Sequence, residues 1–323
     1  MKYHNLKTTY VYDAYWEFAT KRQAIFWKRI QDKEYPWTED PILNKYKFTN
    51  AYRVEDRVSQ FLIKNIIYTK DYYKPEDQCF RILLFKLFNK IETWEYLSRA
   101  LGKEITYSSY DYRVYDDLLT QRLNDDETIY SAAYIMPSGK TCFGFDRKHQ
   151  NNLKLLEYMM KTSLPAKIAN AKSLKELYEL LLSYPTVGSF LAFQFAIDIN
   201  YSELCDFSEM SFVAAGPGAK SGIHKCFEEL TDYTYEDIIR YVADRQEEEF
   251  EKRGLRFGYL YGRKLQLVDC QNLFCEIDKY ARVKYSQIQG INDRKRIKQQ
   301  YINRNLEKIS YFFPPKWGIG QMY

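Results

Sequence analysis

Helical periodicity is the feature of this sequence that most constrains its fold. Apolar residues recur every three or four positions, the spacing that lines one face of an α-helix. Glycine (13 residues) and proline (9 residues) are scarce, which disfavours a turn-rich β fold. The sequence therefore predicts a mostly α protein. The helical stretches are 11–30, 50–67, 76–87, 92–101, 152–160, 173–182, 190–199, 235–250 and 270–284.

One segment departs from the helical pattern. Residues 131–145 ("SAAYIMPSGKTCFGF") carry a Pro-Ser-Gly turn between two runs, which predicts at most a short β-hairpin. No internal repeat and no linker rich in glycine, serine or proline divides the chain. We therefore expect a single helical domain over residues 1–323.

Composition argues against several classes of protein. The six cysteines show no C-x-x-C spacing, and the three histidines form no H-E-x-x-H pair, so we expect no metal site and no other cofactor. No stretch approaches the roughly 20 apolar residues that span a bilayer. The expectation is a cytoplasmic protein without membrane contact, located in the host cytoplasm if the protein is viral.

Positive charge is concentrated near the end of the sequence. Eight lysines or arginines lie between residues 279 and 304, against one acid, Asp293. Such density favours contact with nucleic-acid phosphates, and an ordinary solvated helix face is the alternative. Lys279 and Arg282 begin this segment and are candidate DNA contacts.

The stretch 212–223 ("FVAAGPGAKSGI") resembles a nucleotide-binding loop only in part. The pattern G-x-x-x-x-G-K-[ST] needs glycine where Ala214 and Ala219 stand. A glycine-rich turn before a helix remains, and its N–H groups can hold an anion. A turn between two core helices is the alternative. The predicted phosphate-binding residues are Gly216, Gly218, Lys220, Ser221 and Gly222.

A second stretch, 49–63 ("TNAYRVEDRVSQFLI"), places polar side chains near one face of a predicted helix. Two arginines four residues apart repel each other unless an anion or a carboxylate pairs with them. Glu55 and Asp56 are the structural alternative to an anionic substrate. The candidate binding residues on this face are Asn50, Arg53, Arg57 and Gln60.

A third stretch, 184–199 ("YPTVGSFLAFQFAIDI"), is a tight turn followed by an apolar helix that carries Gln194 and Asp198 four residues apart. It resembles the helix-hairpin-helix motif of DNA glycosylases, whose turn binds a DNA phosphate. Gly188 matches that motif, whereas Thr186 stands at its first glycine. No acid occurs at 210–215, where the resemblance implies a catalytic aspartate.

Seven collinear stretches together resemble one family, the α-glutamyl/putrescinyl thymine pyrophosphorylases, or amino acid:DNA transferases. They are also similar to the helical domain of phage 5-hydroxymethyluracil DNA kinases. The resemblance covers about residues 15–285 and leaves 286–323 as a basic C-terminal extension. The stretches are "PWTEDPIL" (36–43), "KFTNAYRVEDRVSQFLI" (47–63), "RILLFKLFNKIETWEYL" (81–97), "AYIMPSG" (133–139), "VGSFLAFQFAIDINYS" (187–202), "SFVAAGPGAKSGI" (211–223) and "LFCEIDKY" (273–280).

This resemblance implies a helical, DNA glycosylase-like fold and a role in bacteriophage thymine hypermodification. The implied substrate is double-stranded DNA in which an upstream DNA kinase has phosphorylated 5-hydroxymethyluracil. An amine such as an amino acid or putrescine then displaces the phosphate or pyrophosphate. A complete kinase P-loop pattern is absent from this sequence, which favours the transferase.

Two sets of residues are candidates for this chemistry. Fixed N–H groups and cations stabilise a departing phosphate, and the candidates are Gly216, Gly218, Lys220, Arg53 and Arg57. A carboxylate or a neutral imidazole accepts the proton of the amine, and the candidates are Asp198, Glu276, Asp278 and His224. The candidate DNA contacts are Asn50, Gln60, Gly188, Gln194, Lys279 and Arg282.

Two alternatives to the transferase remain open. The first is a DNA glycosylase for a modified thymine or uracil, in which Asp206 or Glu209 replaces the missing carboxylate. The second is a noncatalytic DNA-binding module that presents the substrate to a hydroxymethyluracil DNA kinase.

Overall fold

The computed structural model describes residues 6–69, 74–291, 294–303 and 310–320. This part of the chain is mostly helical and contains isolated β-bridges but no sheet, so the prediction of a mostly α fold is confirmed. The α-helices are α1 (Tyr10–Ile30), α2 (Pro41–Lys45), α3 (Arg57–Phe61), α4 (Pro75–Phe88), α5 (Ile91–Leu101), α6 (Tyr112–Asn124), α7 (Lys140–Phe143), α8 (Lys148–Lys161), α9 (Leu164–Asn170), α10 (Leu174–Leu182), α11 (Ser189–Asn200), α12 (Pro217–Cys226), α13 (Tyr235–Asp244), α14 (Gln246–Lys252) and α15 (Leu267–Lys284).

The chain divides into two compact units, each built from separate segments. The first unit comprises 1–56, 213–311 and 319–323, and the second unit comprises 57–212 and 312–318. The expectation of a single domain over the whole chain stays a prediction. Among the described helices, none has both the length and the apolar character needed to cross a membrane.

The core of the first unit forms around α15, which packs against α1 and α12. Tyr15 of α1 contacts Phe274 of α15 with ring centroids 4.7 Å apart, and both side chains are fully buried. Burial of one such side chain contributes roughly 1.5–3 kcal/mol. The Thr9 hydroxyl accepts the Val11 N–H, and the Thr9 N–H donates to the Cys226 carbonyl, so α1 begins where α12 ends.

The core of the second unit forms around α4, which packs against α8 and α11. From Gln78 to Phe88 every residue of α4 is buried, as expected for a helix that is surrounded by others. The helix begins at Pro75 and ends before Asn89, whose left-handed backbone (φ 49°) stops it. Lys86 is therefore a charged residue inside an apolar core.

The turn between α10 and α11 has the geometry of a tight helical hairpin. Ser173 caps α10 by accepting the Glu176 N–H at 3.1 Å, and α10 packs against α11. Thr186 adopts a left-handed backbone with φ 67°. The helix-hairpin-helix motif has its first glycine at this position.

Several local predictions are wrong. The stretch 50–67 is not one helix, because the extended backbone of Asp56 (φ −69°, ψ 141°) separates a 3₁₀ turn at Arg53–Glu55 from α3 and from a π-helix at Leu62–Ile67. The stretch 235–250 is interrupted at Arg245, and α6 and α9 were not expected. Helix α12 begins at Pro217, within the stretch that was predicted as a glycine-rich turn before a helix.

No strand forms in the described segment 131–145, so the short hairpin is also absent there. The Asn151 side chain holds this segment as a loop by donating to the Ser138 and Phe145 carbonyls and by accepting the Phe145 N–H. Backbone groups that bond to a side chain do not pair with a neighbouring strand.

The backbone of Thr186 generates a stability prediction. A left-handed conformation costs a β-branched residue more than it costs glycine, so Thr186→Gly is expected to raise the free energy of unfolding by about 1 kcal/mol. Urea denaturation measures this change. Thr186→Ala is the control, because it removes the same hydroxyl without freeing the backbone. A Gly variant no more stable than the Ala variant contradicts the prediction.

Candidate functional site

The glycine stretch 212–223 forms the start of α12 in the first unit. Gly216 is the N-cap residue, and no side chain caps this end of the helix. The Ala215 N–H donates to the Glu236 carboxylate at 2.8 Å, and the Lys220 ammonium lies 5.1 Å from the centre of the Tyr235 ring. A carboxylate therefore occupies one backbone donor immediately before the helix.

The remaining predicted phosphate-binding residues face α15. The Ser221 hydroxyl donates to Asp278 at 2.8 Å. A Cβ atom added to Gly222 would lie 1.9 Å from the Phe274 carbonyl oxygen, and one added to Gly218 would lie 3.0 Å from the Cys275 sulfur. These glycines allow α12 to approach α15 closely, and a phosphate-binding role for the stretch stays a prediction.

Two candidate acids of α15 have cationic partners. Asp278 accepts a hydrogen bond from Arg282 and lies 3.0 Å from the Lys225 ammonium. Glu276 accepts the Thr49 N–H at 3.0 Å and pairs with Lys279 at 2.6 Å. Both acids therefore join elements of the first unit.

His224, the candidate base on α12, is exposed and contacts a tyrosine. Its Nε2 lies 2.9 Å from the Tyr235 hydroxyl. Cys275, beside Gly218, is not a ready nucleophile, because burial raises its pKa to about 12.

The segment 49–56 forms a buried turn in the first unit. The Arg53 N–H donates to Asp269 at 2.8 Å, and Arg53 itself is buried. The Asn50 side chain donates to the Glu55 carbonyl at 2.8 Å, while the Asn50 N–H donates to the Asp56 carboxylate at the same distance. These bonds close the turn and explain why the helix predicted here is broken.

Two carboxyl groups of this turn have raised pKa values. Desolvation raises the pKa of Glu55 well above its usual range, against the opposing hydrogen bond from the Gln23 amide. Desolvation also raises the pKa of Asp56 to about 6, against the opposing effects of the Asn50 N–H and the Arg22 guanidinium. Both carboxyl groups therefore bind a proton more tightly in the folded state than in the unfolded chain.

Arg57 and Gln60 belong to the second unit, so the shared helical face predicted for them and Arg53 does not form. The Arg57 side chain is 58% exposed and pairs with Glu92 at 3.3 Å. The Gln60 side chain accepts the Phe312 N–H at 2.8 Å and donates to the Phe312 carbonyl.

Gly188 is the N-cap residue of α11, and a Cβ atom added there would meet open space.

A buried ion pair joins α4 and α11 in the second unit. The Lys86 ammonium lies 3.1 Å from the Asp198 carboxylate, and the two side chains are only 3% and 1% exposed. Lys86 also donates to the Asn89 side chain at 2.6 Å. Gln194 lies one helical turn before Asp198 and is likewise buried. Of the predicted bases, Asp198 is the one from the second unit.

A strained tyrosine lies against this pair. The Lys86 ammonium is 4.8 Å from the centre of the Tyr134 ring, and Tyr134 stacks on Phe190 with centroids 5.6 Å apart and planes at 5°. The backbone of Tyr134 is left-handed (φ 56°). Such strain costs about 1–3 kcal/mol in a bulky residue and concentrates at functional sites.

Sequence reasoning missed four members of this cluster, which are Lys86, Asn89, Tyr134 and Phe190. The sequence did carry one signal. The run "RILLFKLF" (81–88) is apolar on all faces of a helix, which predicts a buried helix, and Lys86 is a charged residue within it. The described residues contain no group of three or more His, Cys, Asp or Glu side chains that could hold a metal ion.

Comparison with known proteins identifies the family. The profile of the 5-hmdU DNA kinase helical domain matches residues 9–290, and the chain belongs to this family of helical domains. A 5-hmdU DNA kinase of Bacillus phage SP10 is 27% identical over 325 residues, which is 94% of this chain and 50% of that protein. The chain thus spans about half the length of this relative. No solved structure matches the chain.

The predicted relation to the kinase helical domain is therefore confirmed. Membership in the amino acid:DNA transferases stays a prediction, as do the roles assigned to individual site residues.

The close approach of α12 to α15 predicts the effect of Gly222→Ala. Overpacking against a backbone carbonyl typically costs about 1–3 kcal/mol, so the free energy of unfolding is expected to fall by that amount. Chemical denaturation measures the loss. Gly320→Ala is the control, because a Cβ atom there meets open space. Equal stability of the two variants would show that α12 does not need the glycine.

The raised pKa of Asp56 predicts a pH dependence. Because the folded state holds this proton more tightly than the unfolded chain, the contribution of Asp56 to stability is present at low pH and is lost as pH rises through about 6. Asp56→Asn keeps an oxygen that accepts the Asn50 N–H and removes the titration. Between pH of about 4 and about 7, wild type is expected to lose on the order of 2 kcal/mol relative to this variant.

Denaturation curves at several pH values test this prediction. Asp146→Asn is the control, because Asp146 is exposed and its pKa is lowered, not raised, by Lys140. Parallel pH profiles for wild type and Asp56→Asn would contradict the assignment.

Proposed function

We propose that this chain is a transferase that replaces the phosphate or pyrophosphate on 5-hydroxymethyluracil in DNA with an amine. The single observation that carries the proposal is the buried Lys86–Asp198 pair beside the strained Tyr134. Membership in the kinase helical-domain family supports DNA carrying this base as the substrate class.

Asp198 is the proposed general base. The attacking amine must lose a proton as its nitrogen bonds to the methylene carbon, and a buried carboxylate can accept that proton. The carbon–oxygen bond to the phosphate breaks at the same carbon, and the electron pair leaves with the phosphate oxygen. Lys86 compensates the charge of the carboxylate, which makes a carboxylate tolerable inside an apolar core.

Asp198 is preferred to the two acids of α15 because of its surroundings. Asp278 is tied to Ser221, Lys225 and Arg282 in the packing of α12 on α15. Lys86, the partner of Asp198, lies instead against the half-buried Tyr134, and the loop that carries Tyr134 is exposed at its next residue, Ile135.

Cations are required to stabilise the departing phosphate. Among the candidates, Lys220 is half-exposed and Arg57 is exposed, whereas Arg53 is buried. Arg57 lies in the same unit as Asp198, so we propose Arg57 as the side chain that meets the departing phosphate. We propose a positioning role for Arg53 within the buried turn, and phosphate binding by Lys220 stays a separate prediction. Gly188 and Lys279 remain the proposed DNA contacts. The other four candidates hold internal positions, so we propose a supporting role for them: Asn50, Gln60 and Gln194 are buried, and Arg282 is bonded to Asp278.

A noncatalytic module is the second candidate function. The specific observation in its favour is that the matched family is one domain of a kinase and that the chain spans half of its relative. In that case the chain binds the DNA and a kinase partner acts on it. The glycosylase alternative needs Asp206 or Glu209 as its acid, and the Asp206 side chain is 78% exposed.

Mass spectrometry of nucleosides tests the transferase. We expect a new nucleoside adduct when the wild-type protein is incubated with kinase-treated 5-hydroxymethyluracil duplex and a pool of amines. Lys86→Met combined with Asp198→Leu replaces the ion pair with apolar side chains, which often preserves the fold. Because a general base contributes about 100-fold or more, adduct formation is expected to fall by at least that factor.

The matched control is Lys154→Met combined with Glu157→Leu, which removes a lysine–carboxylate pair of 3.0 Å on α8. Full activity of the Lys86/Asp198 double variant would end the assignment of Asp198. Duplex binding without any adduct would favour the noncatalytic module, and release of free base would favour the glycosylase.

A further inference from the structure

We propose that Ile135 is a wedge that enters the base stack of duplex DNA and displaces the target nucleotide. The inference rests on the proposed function, which supplies DNA as the partner. Ile135 is 67% exposed, although its neighbour Met136 is 1% exposed and Tyr134 is half-buried. One large apolar side chain therefore stands out from a loop that is anchored on both sides.

The loop that carries Ile135 is held rigidly. On one side, Tyr134 is fixed by its stack on Phe190 and by the Lys86 ammonium. On the other side, the Asn151 side chain donates to the Ser138 carbonyl at 3.0 Å. A side chain on a rigid support loses little conformational entropy when it inserts, which is the requirement for a wedge.

Charge complementarity favours a nucleic acid as the partner. Three cations, Lys140, Arg147 and Lys148, follow the loop within 131–148 against one acid, Asp146, which pairs with Lys140 at 2.5 Å. The segment keeps a net positive charge, and Arg147 is exposed. A single apolar side chain in a segment of positive charge suits a polyanion with a stacked apolar interior, whereas a protein partner needs a broader apolar patch.

The wedge is linked to the proposed base through one ammonium group. Lys86 contacts both Tyr134, which supports the wedge, and Asp198, which accepts the proton in the proposed reaction. Extrusion of a base costs a few kcal/mol of unstacking, and the inserted side chain offsets part of that cost. In this proposal, displacement of the base is coupled to Asp198 through the contacts of Lys86 with Tyr134 and with the carboxylate.

Fluorescence of 2-aminopurine tests the wedge. The probe is a duplex with 2-aminopurine beside a 5-hydroxymethyluracil, and unstacking of the probe raises its emission. Wild type is expected to raise the emission on binding, and Ile135→Ala is expected to reduce this rise by about fivefold or more, with duplex affinity changed by less than about threefold. Ile135→Met keeps an apolar side chain and is expected to restore most of the signal.

Val114→Ala is the matched control, because Val114 is an exposed apolar residue (44%) of α6 in the same unit. An equal rise for wild type and Ile135→Ala overturns the wedge, as does the absence of duplex binding. If the mass-spectrometric assay yields an adduct and the 2-aminopurine emission rises equally for wild type and Ile135→Ala, the transferase is supported and the wedge is rejected. Loss of the rise in Ile135→Ala with no adduct under any condition supports the wedge and rejects the transferase.

Discussion

The close packing of α12 on α15 is the constraint on which the first unit depends. Gly222 lets the two helices approach to the point where the Phe274 carbonyl would contact any larger side chain. The Ser221 hydroxyl then reaches Asp278, and the end of α12 meets the start of α1 at Thr9. Segments that are more than 200 residues apart in the sequence, at Thr9 and Cys226, are joined in this way, so we expect a substitution at Gly222 to act on the whole unit and not on a local turn.

The second unit is organised around buried charge. Isolated charges are costly in an apolar core, and a buried lysine is tolerated only with a partner. Asp198 and the Asn89 side chain provide partners for Lys86, and the same ammonium lies on the ring of Tyr134. Three elements, α4, α11 and the loop at 131–139, therefore meet at a single charged group. A change in that group alters both the helix packing and the support of the exposed loop.

Much of the helical architecture was predictable, because apolar spacing reports directly on the buried face of a helix. Helices α1, α4 and α11 match their predicted stretches to within a residue or two. The turn at Asp56 was not predictable from spacing, since it depends on a hydrogen bond between Asn50 and a side chain six residues later. The start of α12 was hidden by its glycines, which signal a loop in the sequence but serve packing in the fold. Lys86 was missed because its partner lies on a helix far along the chain.

Among the residues that the structure describes, two buried lysine–aspartate pairs occur, and their surroundings argue for different roles. The Lys225–Asp278 pair is enclosed between α12 and α15. Ser221 adds a second bond from α12 to Asp278, and Arg282 adds a bond within α15. The Lys86–Asp198 pair has nearly the same separation, yet Lys86 also contacts a strained tyrosine next to an exposed isoleucine. Strain of this kind persists only where the surrounding contacts stabilise it. The proposed function at the loop is consistent with the cost of holding Tyr134 in that conformation, whereas the contacts of the Lys225–Asp278 pair serve the packing of α12 on α15.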